Sequence, residues 1–281
     1  MSVRSEIVLV GAGRFGAVHA AKIAFEPTAR LVAVCDPALE RAHAVAGRWG
    51  AAAFGSLESA LARHPGLDAC VVVTPRPALA PVALTALRAG LHVLVEKPGA
   101  ASASEFEALV HAARVANRRL HVGYVERFHE ARPPESDWLV TRRSVGRELG
   151  VEEAVSDRLC HDLDAADRVL GPGCEVVRGG HSGARIWLEL ETTRGRRGRL
   201  VLVACSEDLR RWRTPGRHGD TRRTSWPDPL SAQWSAFSAA CRGAEVPQLA
   251  TFESSARVWR LLARAEALLV GDDVQAVRAV P

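Results

Sequence analysis

A short apolar run followed by three closely spaced glycines constrains this chain more than any other stretch. Ile7-Val-Leu-Val10 is continuously apolar, as expected of a strand buried on both faces of a sheet. Gly11-Ala-Gly-Arg-Phe-Gly16 follows, and the alanine-rich residues after it predict a helix. Gly11 permits a tight turn, Gly13 lets a pyrophosphate approach the backbone, and Gly16 lets helix and strand pack closely. Strand, glycine loop and helix together predict a dinucleotide-binding βαβ unit.

An acidic residue at the end of the next strand favours one cofactor. Leu31-Val-Ala-Val-Cys35 reads as a buried strand, and Asp36 closes it twenty residues after Gly16. A carboxylate there accepts hydrogen bonds from the adenosine ribose and repels a 2′-phosphate, so NAD is favoured over NADP. A plain turn with a helix cap would explain the glycines but not the acid. Arg14 and Phe15, inside the glycine loop, are further cofactor-binding candidates.

Strands and helices alternate through the first 124 residues. We expect six strands with crossover helices, and hence a doubly wound, mostly parallel Rossmann sheet. The expected strands lie at residues 7–10, 31–35, 52–54, 68–74, 92–95 and 120–124. The helix after the glycine loop is expected to end near residue 25. The other expected helices cover residues 37–49, 57–63, 79–89 and 103–117, the last capped by Ser102 or Ser104.

Polar residues follow two of these strands at the edge where such sheets bind ligands. Val93-Leu-Val95 ends in Glu96-Lys97-Pro98, and Pro98 fixes the turn. Thr74 ends the preceding strand, and Pro75 follows it. We therefore add Thr74, Pro75, Glu96 and Lys97 to the cofactor-binding candidates.

A second pair of polar residues lies at helical spacing in the other half of the chain. Leu159, Leu163, Ala166 and Leu170 mark one apolar face of a helix that Gly171 ends. Asp157 and His161 are four residues apart and share a face. A carboxylate that orients an imidazole is the arrangement of a general base. A surface acid beside a core histidine would give the same spacing, so both interpretations remain open here.

The rest of the second half predicts a smaller α+β domain with an open, mostly antiparallel sheet. Expected strands lie at residues 175–178, 184–192 and 198–206, and expected helices at 229–242 and 252–270. Residues 209–223 are basic and have no clear pattern. Trp187, Trp212 and Trp226 either stack on a ligand or pack in the domain. The predicted domains are residues 1–124, which bind the dinucleotide, and 125–281, which bind substrate and form oligomer contacts.

Bulk properties exclude several classes of protein. The net charge is +5 at pH 7, but the basic residues lack interleaved aromatic residues, so no nucleic-acid partner is expected. No run approaches the ~18 apolar residues of a membrane span, and the N-terminus is too short and acidic for a signal peptide. We expect a cytoplasmic protein without a membrane partner and without a metal site. The scattered cysteines, without a C-x-x-C pair, are expected to be reduced core residues at positions 35, 70, 160, 174, 205 and 241.

These motifs together resemble those of the Gfo/Idh/MocA oxidoreductase family, almost end to end. The resemblance rests on the glycine loop, Asp36, Val93-Leu-Val-Glu-Lys-Pro98 and Asp157-x-x-x-His161-Asp-x-Asp. Within the family, Gly123-Tyr-Val-Glu-Arg-Phe128 is similar to the matching stretch of UDP-N-acetylglucosamine 3-dehydrogenases. Thr74-Pro-Arg-Pro-Ala-Leu79 departs from the family's Thr-Pro-Asn-x-x-His pattern, and the second domain is short.

The resemblance implies a function and roles for the residues. It implies NAD-dependent oxidation of a secondary sugar hydroxyl, foremost C3 of UDP-N-acetylglucosamine. Separately, an exposed sheet face in the second domain would favour a homodimer or homotetramer. Lys97 would lie by the nicotinamide ribose and the reacting hydroxyl, His161 would be the acid/base, and Asp157 would orient the substrate or His161. Tyr124 and Arg127 join these three as expected substrate-binding residues. A free or phosphorylated sugar, an inositol, or a non-catalytic NAD-binding regulator are the alternatives.

Overall fold

The structure, a computed structural model, describes residues 4–129, 133–145, 150–182, 185–204, 209–221 and 228–270. These residues form two compact units. The first contains the described residues up to Val125 together with residues 228–252. The second contains the described residues from Glu126 to Thr221 together with residues 253–270. Cys205 and Trp226 lie outside the described residues.

Unit 1 is built on a six-stranded parallel sheet with the strand order β3-β2-β1-β4-β5-β6. The order reverses direction between β1 and β4, as in a doubly wound Rossmann fold, so the predicted fold class is confirmed. The strands are β1 (Ser5–Val10), β2 (Ala29–Cys35), β3 (Ala52–Phe54), β4 (Ala69–Val72), β5 (His92–Val95) and β6 (Leu120–Val122).

The crossover helices of unit 1 follow the predicted positions with one difference at a proline. Pro75-Arg-Pro77 begins helix α4 instead of forming a separate turn, because a proline in the first turn lacks only an amide that no helical bond needs. Ser102, not Ser104, caps α5 and accepts a hydrogen bond from the Glu105 amide. The helices are α1 (Arg14–Phe25), α2 (Leu39–Ala46), α3 (Leu57–Arg63), α4 (Arg76–Arg88) and α5 (Ala103–Ala116).

A helix from late in the sequence completes the core of unit 1. We predicted residues 229–242 as part of the second domain, but the observed helix packs in unit 1. Leu230, Trp234 and Phe237 recur at helical spacing on its buried face and join the core around Ile7 and Leu9. Burial of that apolar face explains why the helix returns to the first unit.

Unit 2 is built on a mixed six-stranded sheet with the strand order β12-β11-β7-β10-β9-β8. Strands β7 and β10 are parallel and the other neighbours are antiparallel, so the predicted open, mostly antiparallel sheet is confirmed. Three of its strands, β7, β11 and β12, were not predicted. The strands are β7 (Trp138–Val145), β8 (Cys174–Ser182), β9 (Arg185–Thr192), β10 (Arg197–Ala204), β11 (Leu209–Thr214) and β12 (Arg217–Thr221).

The missed strands are rich in arginine, which hides their alternation. In β11, Trp212 is buried between exposed Arg211 and Arg213, and Trp212 packs closely on Gly219 of β12. Trp187 packs on Gly180 in the same way. On β11 exposed arginines alternate with buried residues, whereas on β7 Arg142 is exposed and Arg143 is itself buried.

The helical part of unit 2 contains an irregular turn at Asp157, the first residue of the Asp157/His161 motif. Helix α6 (Val151–Glu153) continues into a π-helical turn, Ala154–Leu159, and then into α7 (Cys160–Leu170). The remaining helical segments are a 3-10 turn (Val125–Phe128) and helix α9 (Phe252–Val270). The late helix that packs in unit 1 is α8 (Pro229–Cys241). π-Helical turns occur frequently at functional sites.

Candidate functional site

The glycine loop joins β1 to α1 with no room for larger side chains at two positions. Gly11 has a φ of +102°, and a Cβ built there would lie 2.2 Å from the Val73 carbonyl oxygen. A Cβ at Gly16 would lie 1.9 Å from the Gly11 carbonyl oxygen. Only glycine satisfies these two positions, so the loop holds the start of α1 against the sheet.

The third glycine leaves the start of α1 open. No described heavy atom lies within 4 Å of a Cβ built on Gly13, and no described side chain caps the first turn of α1. Arg14 and Phe15, the first two residues of α1, follow Gly13 and are exposed, Phe15 by 43%. Uncapped amides and the positive end of a helix dipole bind phosphate. The residues present therefore fit the pyrophosphate of a dinucleotide.

Asp36 is a buried carboxylate fixed beside that loop. It accepts hydrogen bonds from the amides of Ala12 and Ala38, both at 2.9 Å, and from Arg41 Nη2 at 2.7 Å. Burial raises the pKa of the Asp36 carboxyl, but the hydrogen bonds from Arg41, Ala12 and Ala38 outweigh it and hold the pKa below its ordinary value. Asp36 is therefore ionised and oriented at the end of β2, as the ribose contact of a dinucleotide requires.

Arg41 is a contact that sequence reasoning missed. Its guanidinium is 60% exposed and offsets part of the Asp36 charge. The hydrogen bond from Arg41 to Asp36 raises the pKa of the arginine. The spacing of five residues between them, at the start of α2, is the only sequence signal for this pair.

The predicted polar residues after β4 and β5 lie at the same sheet edge as the glycine loop. Strand β4 lies between β1 and β5, and the Glu96 amide donates to the Val72 carbonyl at 2.9 Å. Thr74 and Lys97 are half-buried and Pro75 is exposed. The Lys97–Pro98 peptide bond is cis. Unit 1 therefore brings together all of its predicted cofactor-binding residues.

Glu96 is turned into the protein interior. It is 8% exposed, and its Oε1 lies 3.1 Å from Nε2 of His19, a histidine with no exposed surface. Its Oε2 lies 3.2 Å from the Lys97 amide nitrogen, which donates to it. Tyr124, a predicted substrate-binding residue, is 1% exposed. Glu96 therefore contacts the protein on both sides of its carboxylate.

In unit 2, three aspartates of α7 are buried and each pairs with an arginine. Arg127, the predicted substrate-binding residue, donates from Nε to both carboxylate oxygens of Asp164 at 3.0 Å. The other pairs are Arg143 with Asp162 at 3.0 Å and Arg257 with Asp167 at 2.8 Å. Each arginine comes from a different element, so the pairs hold α7 from several sides.

Charge and burial act in opposite directions in this cluster. Burial lowers the pKa of Arg143, but the charges of Asp162 and Glu126 outweigh it and raise the net pKa. Burial raises the pKa of Asp167 above its ordinary value, although Arg257 opposes that rise. A buried ion pair is stable only while both partners are present.

His161 lies at the start of α7, among these pairs. It is 8% exposed and directly precedes Asp162, whose side chain is fully buried. Asp157 lies in the π-helical turn before it and accepts from Arg158 Nε at 2.9 Å. The sequence predicted a regular helix here, and the wider π turn alters the angle between residues four apart. Within the described ranges, no group of three or more His, Cys, Asp or Glu side chains is arranged to hold a metal ion.

The described cysteines are core residues or lie partly buried, without disulfide bonds. Cys35, Cys70 and Cys160 are buried, and the described cysteines are all free. Burial raises the pKa of the Cys35 thiol to about 12, so it is an unreactive core group. No described helix is both long and apolar enough to cross a bilayer.

Comparison with known protein families supports a dinucleotide site in unit 1. Residues 5–124 match a family model described as an oxidoreductase family with an NAD-binding Rossmann fold, GFO_IDH_MocA. The match lies within the nucleotide-binding half of the chain and concerns that half. The resemblance inferred from the motifs and the prediction of NAD as cofactor are both confirmed at the level of this family.

The curated proteins similar to this chain have more than one substrate in their names. UDP-N-acetylglucosamine 3-dehydrogenase of Acidithiobacillus ferrooxidans is 32% identical over 181 residues, 60% of this chain and 55% of the relative. Inositol 2-dehydrogenase of Rubrobacter xylanophilus is 31% identical over 225 residues, 71% of this chain and 65% of the relative. The matches thus span between about half and two thirds of the length of these curated relatives.

A solved structure extends the likeness in fold to nearly the whole chain. UDP-N-acetylglucosamine 3-dehydrogenase from Acidithiobacillus ferrooxidans superposes with a TM-score of 0.83 at 23% identity, covering 95% of this chain and 98% of that chain. The likeness includes the second unit, and it concerns the fold.

Proposed function

We propose that this chain is an NAD-dependent dehydrogenase that oxidises a secondary hydroxyl of a sugar, with C3 of UDP-N-acetylglucosamine as the first candidate. The observation that carries the proposal is the Glu96-Lys97-Pro98 turn at the sheet edge that also holds the glycine loop and Asp36. A lysine at that edge lies where open α/β sheets bind their ligands. The named relative at 32% identity supports the choice of nucleotide sugar.

We assign the chemical roles to three residues. When bound, NAD supplies the hydride acceptor. His161 takes the hydroxyl proton as general base, and Lys97 stabilises the negative charge that develops on the oxygen. Asp157 orients His161 or the substrate. We also assign Arg127 and Tyr124 to substrate binding. Arg127 is hydrogen-bonded to Asp164, and Tyr124 is buried.

A panel of substrates tests the proposal. NADH formation is measured with UDP-N-acetylglucosamine, other UDP-sugars, free hexoses, hexose phosphates and inositols. Turnover of UDP-N-acetylglucosamine with a product oxidised at C3 is expected. Absence of turnover with every UDP-sugar would eliminate this choice. Turnover of an inositol alone would favour the second candidate, which the inositol dehydrogenase at 31% identity supports.

Two substitutions test the roles once a substrate is known. Lys97→Ala and His161→Ala should each lower kcat by about 100-fold or more, the usual contribution of a positioned acid, base or charge. His111, an exposed histidine of α5, serves as the matched control, and His111→Ala should retain full activity. Full turnover by either Lys97→Ala or His161→Ala would refute its assigned role.

A non-catalytic regulator of the same fold is the alternative from a different class. Such a protein would bind NAD and a partner protein but would form no NADH with any sugar. It would need neither Lys97 nor His161. Binding of NAD by calorimetry together with an inactive panel would favour it.

We also propose that the exposed face of the unit 2 sheet joins copies of this chain. Trp138, Val140 and Val177 are 39%, 37% and 41% exposed on that face. Arg178 and Glu189 form an ion pair beside them at 2.8 Å. Apolar patches with a charged rim mark interfaces. Light scattering should find a dimer or tetramer, and Val177→Asp should dissociate it; a monomeric wild-type chain would contradict this assignment.

A further inference from the structure

A buried histidine, His19, lies in contact with Glu96 of the Glu96-Lys97 turn. His19 is fully buried on α1, one turn after Gly16. Its ring packs edge-to-face on Phe15, with ring centroids 4.9 Å apart, and on Trp234, with centroids 5.9 Å apart. Buried polar atoms in proteins are nearly always hydrogen-bonded, so both ring nitrogens of a buried histidine are expected to have partners.

The hydrogen bonds of His19 determine its tautomer. Trp234 Nε1 lies 3.1 Å from His19 Nδ1, and His19 Nε2 lies 3.1 Å from Glu96 Oε1. An indole N–H only donates, so Nδ1 must be the acceptor and carry no proton. The proton of the neutral ring is therefore on Nε2, and Nε2–H donates to the Glu96 carboxylate. The chain of donors runs in one direction, from Trp234 through His19 to Glu96.

The Glu96 carboxylate at the end of this chain has little freedom to move. Its second oxygen accepts from the Lys97 amide at 3.2 Å. A Cβ built on Gly123 would lie 2.7 Å from Glu96 Oε1, so the carboxylate packs directly on the Gly123 backbone. The carboxylate thus joins the buried histidine to the backbone of the lysine.

The helix that supplies Trp234 is itself fixed along α1. Lys22 Nζ lies 2.9 Å from the carboxylate of Asp228, the residue that caps α8. Ser235 Oγ donates to Glu26 Oε2 at 2.6 Å. These contacts and the apolar face of α8 hold the indole N–H at one position relative to α1.

We propose that Trp234, His19 and Glu96 form a positioning chain that sets the direction of Lys97. The inference rests on the proposed function in assigning Lys97 a part in the reaction. His19 and Trp234 act through Glu96 and are positioning residues. Helix α8, which the burial of its apolar face brings to unit 1, supplies the indole that fixes the proton of His19.

Two substitutions of one residue separate hydrogen bonding from packing. In His19→Gln, the amide nitrogen occupies about the place of Nε2 and still donates to Glu96. In His19→Asn, the shorter amide takes the place of Nδ1 and loses Glu96. We expect His19→Asn to lower kcat about tenfold, as for one buried hydrogen bond, and His19→Gln to restore it to within about threefold of wild type. Both variants should bind NAD with nearly unchanged Kd.

A second measurement does not depend on any substrate. The polypeptide contains two lysines, Lys22 and Lys97, so protein labelled with ¹⁵N-lysine gives two backbone amide resonances. The Lys97 resonance, identified by its loss in Lys97→Arg, should shift in His19→Asn and stay near its wild-type position in His19→Gln. Phe237→Leu removes a ring that packs on Trp234 but none of the hydrogen bonds; it is the control for packing and should leave the Lys97 resonance in place.

The outcomes distinguish this inference from the proposed function. A wild-type protein that turns over no sugar refutes the proposed function and leaves the Lys97 resonance test standing. Equal Lys97 resonances in His19→Asn and His19→Gln, or equal kcat values in the two variants, would overturn the positioning chain. So would a ¹⁵N-histidine spectrum in which His19 carries its proton on Nδ1.

Discussion

Helix α1 in unit 1 and helix α7 in unit 2 both bury polar side chains, and they compensate them with different chemistry. His19 on α1 is satisfied by a neutral donor, Trp234, and by one carboxylate. The three aspartates of α7 are satisfied by three arginines. The Trp234–His19–Glu96 hydrogen bonds fix the direction in which each proton is donated, whereas the ion pairs fix the positions of the elements that carry them. Loss of a partner should therefore have different consequences in the two units.

The largest expected effect is the loss of a buried arginine in unit 2. Arg127→Ala leaves Asp164, which is 1% exposed, without its bidentate partner. Removal of one member of a buried ion pair costs about 3–5 kcal/mol. Native-state hydrogen exchange of α7 measures the local free energy of opening. Arg257→Ala is the matched control, since Arg257 is 29% exposed, and it should cost less. Equal losses in the two variants would contradict this account.

The next effect is smaller and lies in unit 1. Trp234→Phe keeps most of the ring but removes the donor to His19 Nδ1. One buried acceptor left without its donor costs about 1–3 kcal/mol. Hydrogen exchange of α1 should report this loss, while α7 stays unchanged. A cost as large as that of Arg127→Ala would contradict the distinction between these hydrogen bonds and the ion pairs of unit 2.

Acid should act on the two units with opposite signs. The pKa values of Asp36 and Asp228 are lowered in the folded protein, despite burial, mainly by their hydrogen bonds to Arg41 and Lys22. Their contribution to stability is present above pH 3.8 and is lost as pH falls through the lowered pKa values. Burial raises the pKa of Asp167, so its contribution is present below pH 3.8 and is lost as pH rises through the raised pKa.

Two asparagine variants measure these slopes. Relative to wild type, Asp36→Asn should lose its stability deficit as pH falls below 3.8. Asp167→Asn should gain stability relative to wild type as pH rises above 3.8. Urea midpoints on either side of that pH check both, and slopes of the same sign would contradict the assigned pKa directions.

The smallest expected effect concerns the exposed pair of unit 1. Arg41 offsets the Asp36 charge that would repel a 2′-phosphate. Arg41→Ala should weaken NADP binding about two- to fivefold, the range of an exposed ion pair, and leave NAD binding nearly unchanged. Calorimetric titration of the two nucleotides measures the ratio. Arg48→Ala, an exposed arginine after the same helix, is the control. An unchanged ratio would remove Arg41 from cofactor selection.

The local patterns were sufficient for the nucleotide half of the molecule. Gly11, Gly16 and Asp36 could be placed from sequence because strand, turn and helix follow one another within the chain and the backbone leaves little choice. The same reasoning failed for β11, where Arg211 and Arg213 conceal the alternation around Trp212. The π-helical turn at Asp157 was also missed, because an i,i+4 spacing does not reveal a widened turn.

The sequence by itself determined the parallel sheet, the glycine loop, the acid after β2 and the lysine after β5, since each depends on neighbours in the chain. Only the tertiary structure decided what lies beneath that lysine. His19, Glu96 and Trp234 are 77 and 138 residues apart along the chain in turn, and no periodicity relates them. The burial of α8 against α1 brings them together, because its apolar face needs a core to cover and the unit 1 core provides one.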